Sequence, residues 1–193
     1  MADAKGVILR HARLSDAPML QAIYAPYVLH TAVSFEWQPP TAEEFAARME
    51  KTMAFYPYFT ACLDGRIVGY AYASRFQPRK AYDWCAEASV YLAMDARRQG
   101  IGAKLYAALE DALRLQHIRK LYAKIVVPGE EDEYLTFDSL SFHRAMGFTQ
   151  QGFFTDCGNK FGRWYSICCM EKDLTADAPL EPVTAFRPED FSF

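Results

Sequence analysis

The stretch Val90-Tyr91-Leu92-Ala93-Met94-Asp95-Ala96-Arg97-Arg98-Gln99-Gly100-Ile101-Gly102-Ala103 decides how this chain is read. An apolar, strand-like run over 86–93 ends at a short polar segment with two glycines. From 100 to 115, Ile101, Leu105, Leu109 and Ala112 then recur at helical spacing. The order is strand, tight turn, helix. The first N–H groups of a helix lack intrahelical acceptors and carry the positive end of its dipole, so such a turn attracts phosphate. Gly100 and Gly102 allow a diphosphate close to the backbone, and Arg97 and Arg98 add positive charge there. The same residues also suit a plain strand-to-helix turn with solvated arginines. Two other phosphate motifs are excluded: no Gly-Lys-Ser/Thr follows, and the G-x-G-x-x-G spacing is not met.

Working outward, 7–11 is expected to be a first strand and Ser15-Asp16 to cap a helix carrying Met19, Leu20 and Ile23. Residues 31–37 form an aromatic, β-branched loop ending at Pro39-Pro40. Thr41 with Glu44 makes a capping box for a second helix. Asp64-Gly65 between the apolar runs 58–63 and 66–76 signals a hairpin. Glu110 and Arg114 are expected to pair on the outer face of the helix over 100–115. Leu121, Ala123, Ile125 and Val127 alternate as a strand, 140–146 is a short helix stopped by Gly147, and 148–157 and 163–174 are the last strands. This order implies an α/β (α+β) domain, a mixed and mostly antiparallel sheet with helices on both faces.

The domain is expected to span 1–174. Beyond it, 175–193 is a Pro-rich acidic extension, either loose or strapped to the domain by Phe186, Phe191 and Phe193. Length and a hydrophobic content of 51% fit one domain with a sizeable core. A net charge of −3 gives no basic footprint for nucleic acid. No apolar run is long enough for a membrane span, and Met1-Ala2-Asp3-Ala4-Lys5-Gly6 does not read as a signal peptide, so a cytoplasmic protein is expected. Cys62, Cys85, Cys157, Cys168 and Cys169 show no metal-ligand spacing and read as free thiols; no metal is expected.

Arg97 to Gly102 resembles the R/Q-x-x-G-x-G/A signature of the GNAT N-acetyltransferase superfamily. Closer still, Thr31-Ala32-Val33-Ser34-Phe35-Glu36, Arg79-Lys80-Ala81-Tyr82-Asp83-Trp84-Cys85-Ala86-Glu87 and Lys160-Phe161-Gly162-Arg163-Trp164 resemble phosphinothricin and methionine sulfone (sulfoximine) N-acetyltransferases. The resemblance covers about residues 7–173. It implies the GNAT fold with its splayed sheet, acetyl-CoA as co-substrate, a small amino-acid-like primary amine as acceptor, and a homodimer. It implies that Arg97, Arg98, Gln99, Gly100, Ile101, Gly102 and Ala103 hold the diphosphate, and that Val90, Tyr91 and Leu92 meet the pantetheine through backbone groups. Ser139 is implied as a further cofactor contact.

Amine acetylation requires a neutral amine, hence a proton acceptor. The resemblance assigns this role to Glu87, whose carboxylate in an apolar strand is otherwise costly unless paired. It puts His143 near the leaving thiolate, unless that histidine is satisfied by local backbone. Tyr82 and Trp84 are candidate walls of the amine pocket, and Arg75 and Arg79 candidate partners for a substrate carboxylate. Phe35 and Glu36 fall in the loop that shapes the acceptor site in relatives, while Lys160 and Arg163 lie near either the site or a subunit contact. The chain departs from relatives at 128–138, where Thr136 stands in place of a cofactor-binding Asn and Glu130-Glu131-Asp132-Glu133 is acidic. That segment either favours cationic acceptors or is a solvated insertion. Cys85 replaces a common Thr with no activating base nearby in sequence, so direct attack in a ternary complex is expected over a covalent route. Other acceptors (a polyamine, an aminoglycoside-like molecule, a protein N-terminus) and a non-catalytic acyl-CoA-binding module are the competing readings.

Overall fold

A computed structural model describes residues 4–175 and 179–193. Met1-Ala2-Asp3 of the segment read as lacking a signal peptide, and 176–178 of the extension, lie outside the described residues. The strands β1 (Ile8–His11), β2 (Tyr58–Leu63), β3 (Arg66–Arg75), β4 (Cys85–Leu92), β5 (Lys120–Val127), β6 (Thr149–Lys160) and β7 (Arg163–Asp173) form one sheet in the order β1-β2-β3-β4-β5-β7-β6. Every neighbouring pair is antiparallel except β4 and β5. Helices α1 (Ala17–His30) and α2 (Ala42–Met53) cover one face, α3 (Ile101–Leu115) the other, and α4 (Asp138–Ala145) flanks β5. This is the mixed, mostly antiparallel architecture expected from the order of elements.

The two faces follow from strand alternation. Ala71, Ala73, Ala86, Ala88, Leu121, Ala123 and Ile125 pack beneath Ile101, Leu105, Leu109 and Leu113 of α3. Small residues on the strands let that apolar helix settle close to the sheet. On the other face Tyr58 and Tyr70 meet Leu20, Ile23 and Tyr24 of α1 and Phe45 and Met49 of α2. Thr41 caps α2 as expected: its hydroxyl accepts from Glu44 N at 3.1 Å while Glu44 accepts from Thr41 N at 2.8 Å, a cap that contributes about 1 kcal/mol. Asp64 (φ 51°) and Gly65 (φ 78°) make the tight β2–β3 turn.

Three local expectations are corrected. The Asp16 carboxylate does not cap α1; it accepts from Arg10 at 2.7 and 2.9 Å and from Arg13 N at 2.8 Å. Met19 faces solvent while Leu20 and Ile23 are buried. Glu110 pairs with Arg114 at 3.3 Å but is not on the outer face: it is buried, and Lys172 donates to both its oxygens at 2.7 and 2.8 Å.

The feature that positions the site is the parting of β4 and β5. They share only the pairs Cys85–Lys120, Ala86–Leu121 and Glu87–Tyr122. Beyond Glu87, β4 stays with β3 as far as Leu92, and β5 stays with β7 as far as Val127. Each strand keeps its antiparallel partner, and a cleft opens between them.

The extension lies on the domain as a strap. Trp84 Nε1 donates to Glu181 O at 2.7 Å, Gln116 Nε2 to Thr184 O at 2.8 Å, and Phe186 N to Phe55 O at 2.9 Å. Phe186, Phe191 and Phe193 then gather around His11 and Phe59. Among the described residues no helix is long and apolar enough to cross a membrane.

Candidate active site

The chain leaves β4 through a 3-10 turn, Met94–Ala96, and enters α3 at Gly100, whose φ of 79° is a left-handed conformation that suits glycine. Past this turn runs a groove of about 450 Å³, lined by Val90, Leu92, Arg97, Arg98, Gly102 and Ser139 among others. Arg97 and Arg98 both reach Asp138 at the start of α4, each at 3.1 Å, so two guanidiniums already converge on one anionic group. The remaining turn residues offer backbone more than side chain. Ile101 is fully buried in the core, and the Gln99 amide donates back to Asp95 O at 3.0 Å. Donors at a helix start, a glycine facing the groove and two arginines fit a diphosphate.

The far wall of the groove is the segment 132–136, and it is ordered by hydrogen bonds. Asp132 accepts from Tyr134 N and Leu135 N at 2.8 Å each and from the Tyr165 hydroxyl at 2.9 Å. Arg163 reaches Asp132 at 2.9 Å and Glu133 at 2.7 Å. One guanidinium therefore anchors both acids: Asp132 is tied into the wall, while Glu133 and the neighbouring Glu130 and Glu131 stay exposed.

Deeper in the cleft, Ser139, His143 and Tyr106 line a small cavity between the parted strands. His143 is buried; its Nδ1 lies 2.7 Å from Ser139 O and its Nε2 2.8 Å from the Tyr106 hydroxyl. A carbonyl only accepts, so Nδ1 carries the proton and the Tyr106 hydroxyl donates to Nε2. Burial lowers the His143 pKa to about 4, against a raising contribution from Ser139 O. The imidazole is neutral with both nitrogens engaged, so it is not poised as a proton donor to a thiolate. Local backbone satisfies it in part.

On the face beneath α1 and α2 stand Tyr72, Glu87, Ser89 and Tyr91. Glu87 is the last residue of β4 paired with β5, directly at the mouth of the cleft. Its carboxylate accepts from Lys124 Nζ at 2.7 Å and is 24% exposed, so the cost of a charge in this strand is met by pairing without closing the site. Lys124 also lies 5.7 Å over the Phe76 ring, which stacks on Tyr122 and meets Tyr82 edge-on. That chain of contacts brings Tyr82 toward Glu87. Burial raises the Tyr72 hydroxyl and pushes Tyr24 up to about 12, so these are neutral donors. Glu36 accepts from Arg48 at 2.6 Å and lines a small pocket with Tyr24, Tyr72 and Tyr91. Phe35 lies against Gly158, where a Cβ would overlap its ring.

Other sequence candidates fall outside this convergence. Arg75 pairs with Asp83 at 2.8 Å in an outer pocket of about 670 Å³. Arg79 is exposed, just before the 3-10 turn Lys80–Tyr82. Trp84 directs its indole N–H to the strap. Burial raises the Cys85 thiol, the opposite of what a nucleophile needs. Among the described residues no cluster of three or more His, Cys, Asp or Glu is placed to hold a metal ion.

Lys124, Tyr72, Tyr106 and Asp138 are the site residues the sequence reading missed. A signal for Lys124 was present: in the alternation of 121–127 it occupies the face opposite Leu121, Ala123 and Ile125, alongside Tyr122. Tyr70, Tyr72 and Tyr91 likewise share one face of paired strands. Tyr106 carried none, because one tyrosine among the apolar positions of α3 reads as core.

The acetyltransferase (GNAT) domain family matches residues 9–168. A phosphinothricin N-acetyltransferase of Alcaligenes faecalis is 39% identical over 169 residues, covering 87% of this chain and 83% of that protein. An L-methionine sulfoximine/L-methionine sulfone acetyltransferase of Pseudomonas aeruginosa is 30% identical over 175 residues, 89% of this chain and 98% of that protein. A crystal structure of a phosphinothricin acetyltransferase from Sinorhizobium meliloti in complex with AcCoA superposes with a TM-score of 0.82 at 34% identity, covering 92% of this chain and 95% of that one. A strand pair that parts above a carboxylate, a glycine turn with two arginines at the start of α3 and a match over most of the chain agree: the protein belongs to the GNAT family and is an N-acetyltransferase.

Proposed function

We propose that the protein transfers the acetyl group of acetyl-CoA to the primary amine of a small amino-acid-like acceptor, by direct attack in a ternary complex. The observation that carries this reading is Glu87 at the last β4–β5 pair, with its carboxylate on the face opposite α3 and within reach of the cleft. Acetyl-CoA lies along the groove, its diphosphate on the α3 turn with Arg97 and Arg98 and its pantetheine against Val90 and Leu92. Tyr91, Gln99, Ile101 and Ala103 contribute backbone groups, and Ser139 lines the passage to the cleft. The acceptor enters beneath α1 and α2, where Phe35, Glu36 and Tyr82 border its site. Its ammonium competes with Lys124 for Glu87, which takes one proton. The amine attacks the thioester carbonyl, and a backbone N–H on the open edge of β4 donates to the oxyanion. The C–S bond breaks, and the second nitrogen proton passes to the departing thiolate. His143 holds the Tyr106 hydroxyl at the cleft floor rather than donating a proton itself. Arg75 and Arg79 bind an acceptor carboxylate only if the 79–84 segment rearranges.

Relatives named for phosphinothricin and methionine sulfone support the acceptor class. The test is thiol release from acetyl-CoA with methionine sulfone, methionine sulfoximine, phosphinothricin and polyamines. Turnover with the amino-acid analogues is expected; turnover with polyamines alone would overturn the acceptor class. The same reading takes the protein to be a cytoplasmic homodimer. Edge strand β6 and its partner β7 expose Phe153, Phe154 and Trp164 at 50%, 59% and 63%, a surface suited to a second copy. Light scattering at the mass of a monomer would remove that part.

A further inference from the structure

The β6–β7 hairpin turns through Phe161 (φ 53°) and Gly162 (φ 75°), so Lys160 and Arg163 face each other across the strand pair. The two cations part immediately. Lys160 is 2% exposed, and its ammonium donates to Val28 O at 2.8 Å, Thr31 O at 2.9 Å and Ser34 O at 2.6 Å. All three of its protons are used. Val28 and Thr31 present carbonyls of the α1 C-terminus, which lack helical partners and carry the negative end of the dipole. The third bond, to Ser34, folds the following loop back onto that helix end. Ser34 Oγ then accepts from Glu36 N at 3.2 Å and shares a hydrogen bond with the Tyr24 hydroxyl at 2.7 Å. Phe35 rests on Gly158, two residues before the lysine. The end of β6 therefore seats Ser34, Phe35 and Glu36 together.

Arg163 points at the other substrate's wall. It holds Glu133 through two bonds of 2.7 and 2.9 Å, and its guanidinium stacks 5.2 Å from the Tyr134 ring. That segment borders the groove, as do Thr31 and Val33 at the start of the other loop, whereas Ser34, Phe35 and Glu36 do not. The two loops touch each other: Ala32 N donates to Tyr134 O at 3.0 Å, and Ala32 and Leu135 share an apolar cluster against which Val33, Phe35 and Tyr134 pack, while their polar anchors Lys160 and Arg163 stay apart.

We propose that Lys160 and Arg163 are separate positioning residues for the two substrates: Lys160 sets Ser34, Phe35 and Glu36 of the acceptor loop, and Arg163 sets the acetyl-CoA wall 132–136. The assignment rests on the proposed placement of the two substrates. A buried ammonium fixed by three carbonyls holds its loop without occupying the site, and a bidentate arginine does the same for an acidic loop.

The test is a double dissociation with Lys160→Met and Arg163→Gln, assayed with methionine sulfone and acetyl-CoA. Lys160→Met is expected to raise KM for methionine sulfone about tenfold while KM for acetyl-CoA stays within about twofold. Arg163→Gln is expected to raise KM for acetyl-CoA about fivefold and leave the acceptor KM within about twofold. Should Lys160→Met fail to fold, Gly158→Ala expels Phe35 with the lysine intact and is expected to give the same acceptor-side shift. Amide hydrogen exchange reads the loops without any acceptor: 34–36 deprotects in the Lys160 or Gly158 variant, and 132–136 in the Arg163 variant. A wild-type protein silent on methionine sulfone would sink the acceptor assignment, and exchange together with CoA binding would still decide the division of roles. Equal movement of both loops, or of both KM values, in either variant would overturn it.

Discussion

The turn entering α3 and the face beneath α1 and α2 both abut β4, yet they are made in opposite ways. The turn is local. Six successive residues, Arg97 to Gly102, supply it, and much of its chemistry is backbone N–H at a helix start. The face is assembled from afar: Glu36 before α2, Arg48 within it, Tyr72 on β3, Glu87 on β4 and Lys124 on β5, each tied to another side chain. A local device tolerates loss of a side chain, because its donors belong to the main chain. An assembled one does not, because each group holds the next.

The largest expected effect tests the assembled side. Glu87→Gln should lower kcat by about a hundredfold or more while leaving CoA affinity unchanged. Steady-state rates and calorimetric titration of CoA read the two halves, and unimpaired turnover would remove Glu87 as the base.

The second test lies at the cleft floor. With His143 held down to about 4 and the unfolded imidazole near 6.5, the unfolded chain takes up the proton first as pH falls. This contribution to stability is therefore intact above about pH 7 and drains away between 6.5 and 4. It amounts to about 2 kcal/mol lost at pH 5, visible in denaturant midpoints. A His143→Gln variant should lose that part of the acid sensitivity; if it keeps the wild-type slope, the imidazole is not the group responsible.

The smallest effect sharpens the local side. Arg97→Ala or Arg98→Ala should weaken acetyl-CoA binding by about fivefold each, near 1 kcal/mol, since both guanidiniums are well exposed. A hundredfold loss from either would mean the turn acts through its side chains after all.

The same contrast explains what the sequence made legible. The hairpin at Asp64-Gly65, the Thr41–Glu44 box and the glycine turn were readable because each is satisfied within a few residues. Glu87 stood out as a charge in an apolar strand, but its partner is 37 residues away on a strand it meets in only three pairs. Glu110 misled for a related reason: the i,i+4 pattern with Arg114 is real, and only the tertiary approach of Lys172 shows that it is buried. The strap and the acidic wall were left open because composition does not say where a segment docks. Their answers lie in carbonyls at 55 and 116 and in a guanidinium at 163.

The parting of β4 and β5 leaves the molecule with an unfinished sheet. In the proposed complex a substrate whose amides run along the open edge of β4 does the work of a missing strand, and the folded state is then stabilised by whatever occupies the gap. At a hundred times its Kd such a ligand adds about 2.7 kcal/mol. The survival of this enzyme against heat and proteases would thereby follow the size of the acyl-donor pool around it.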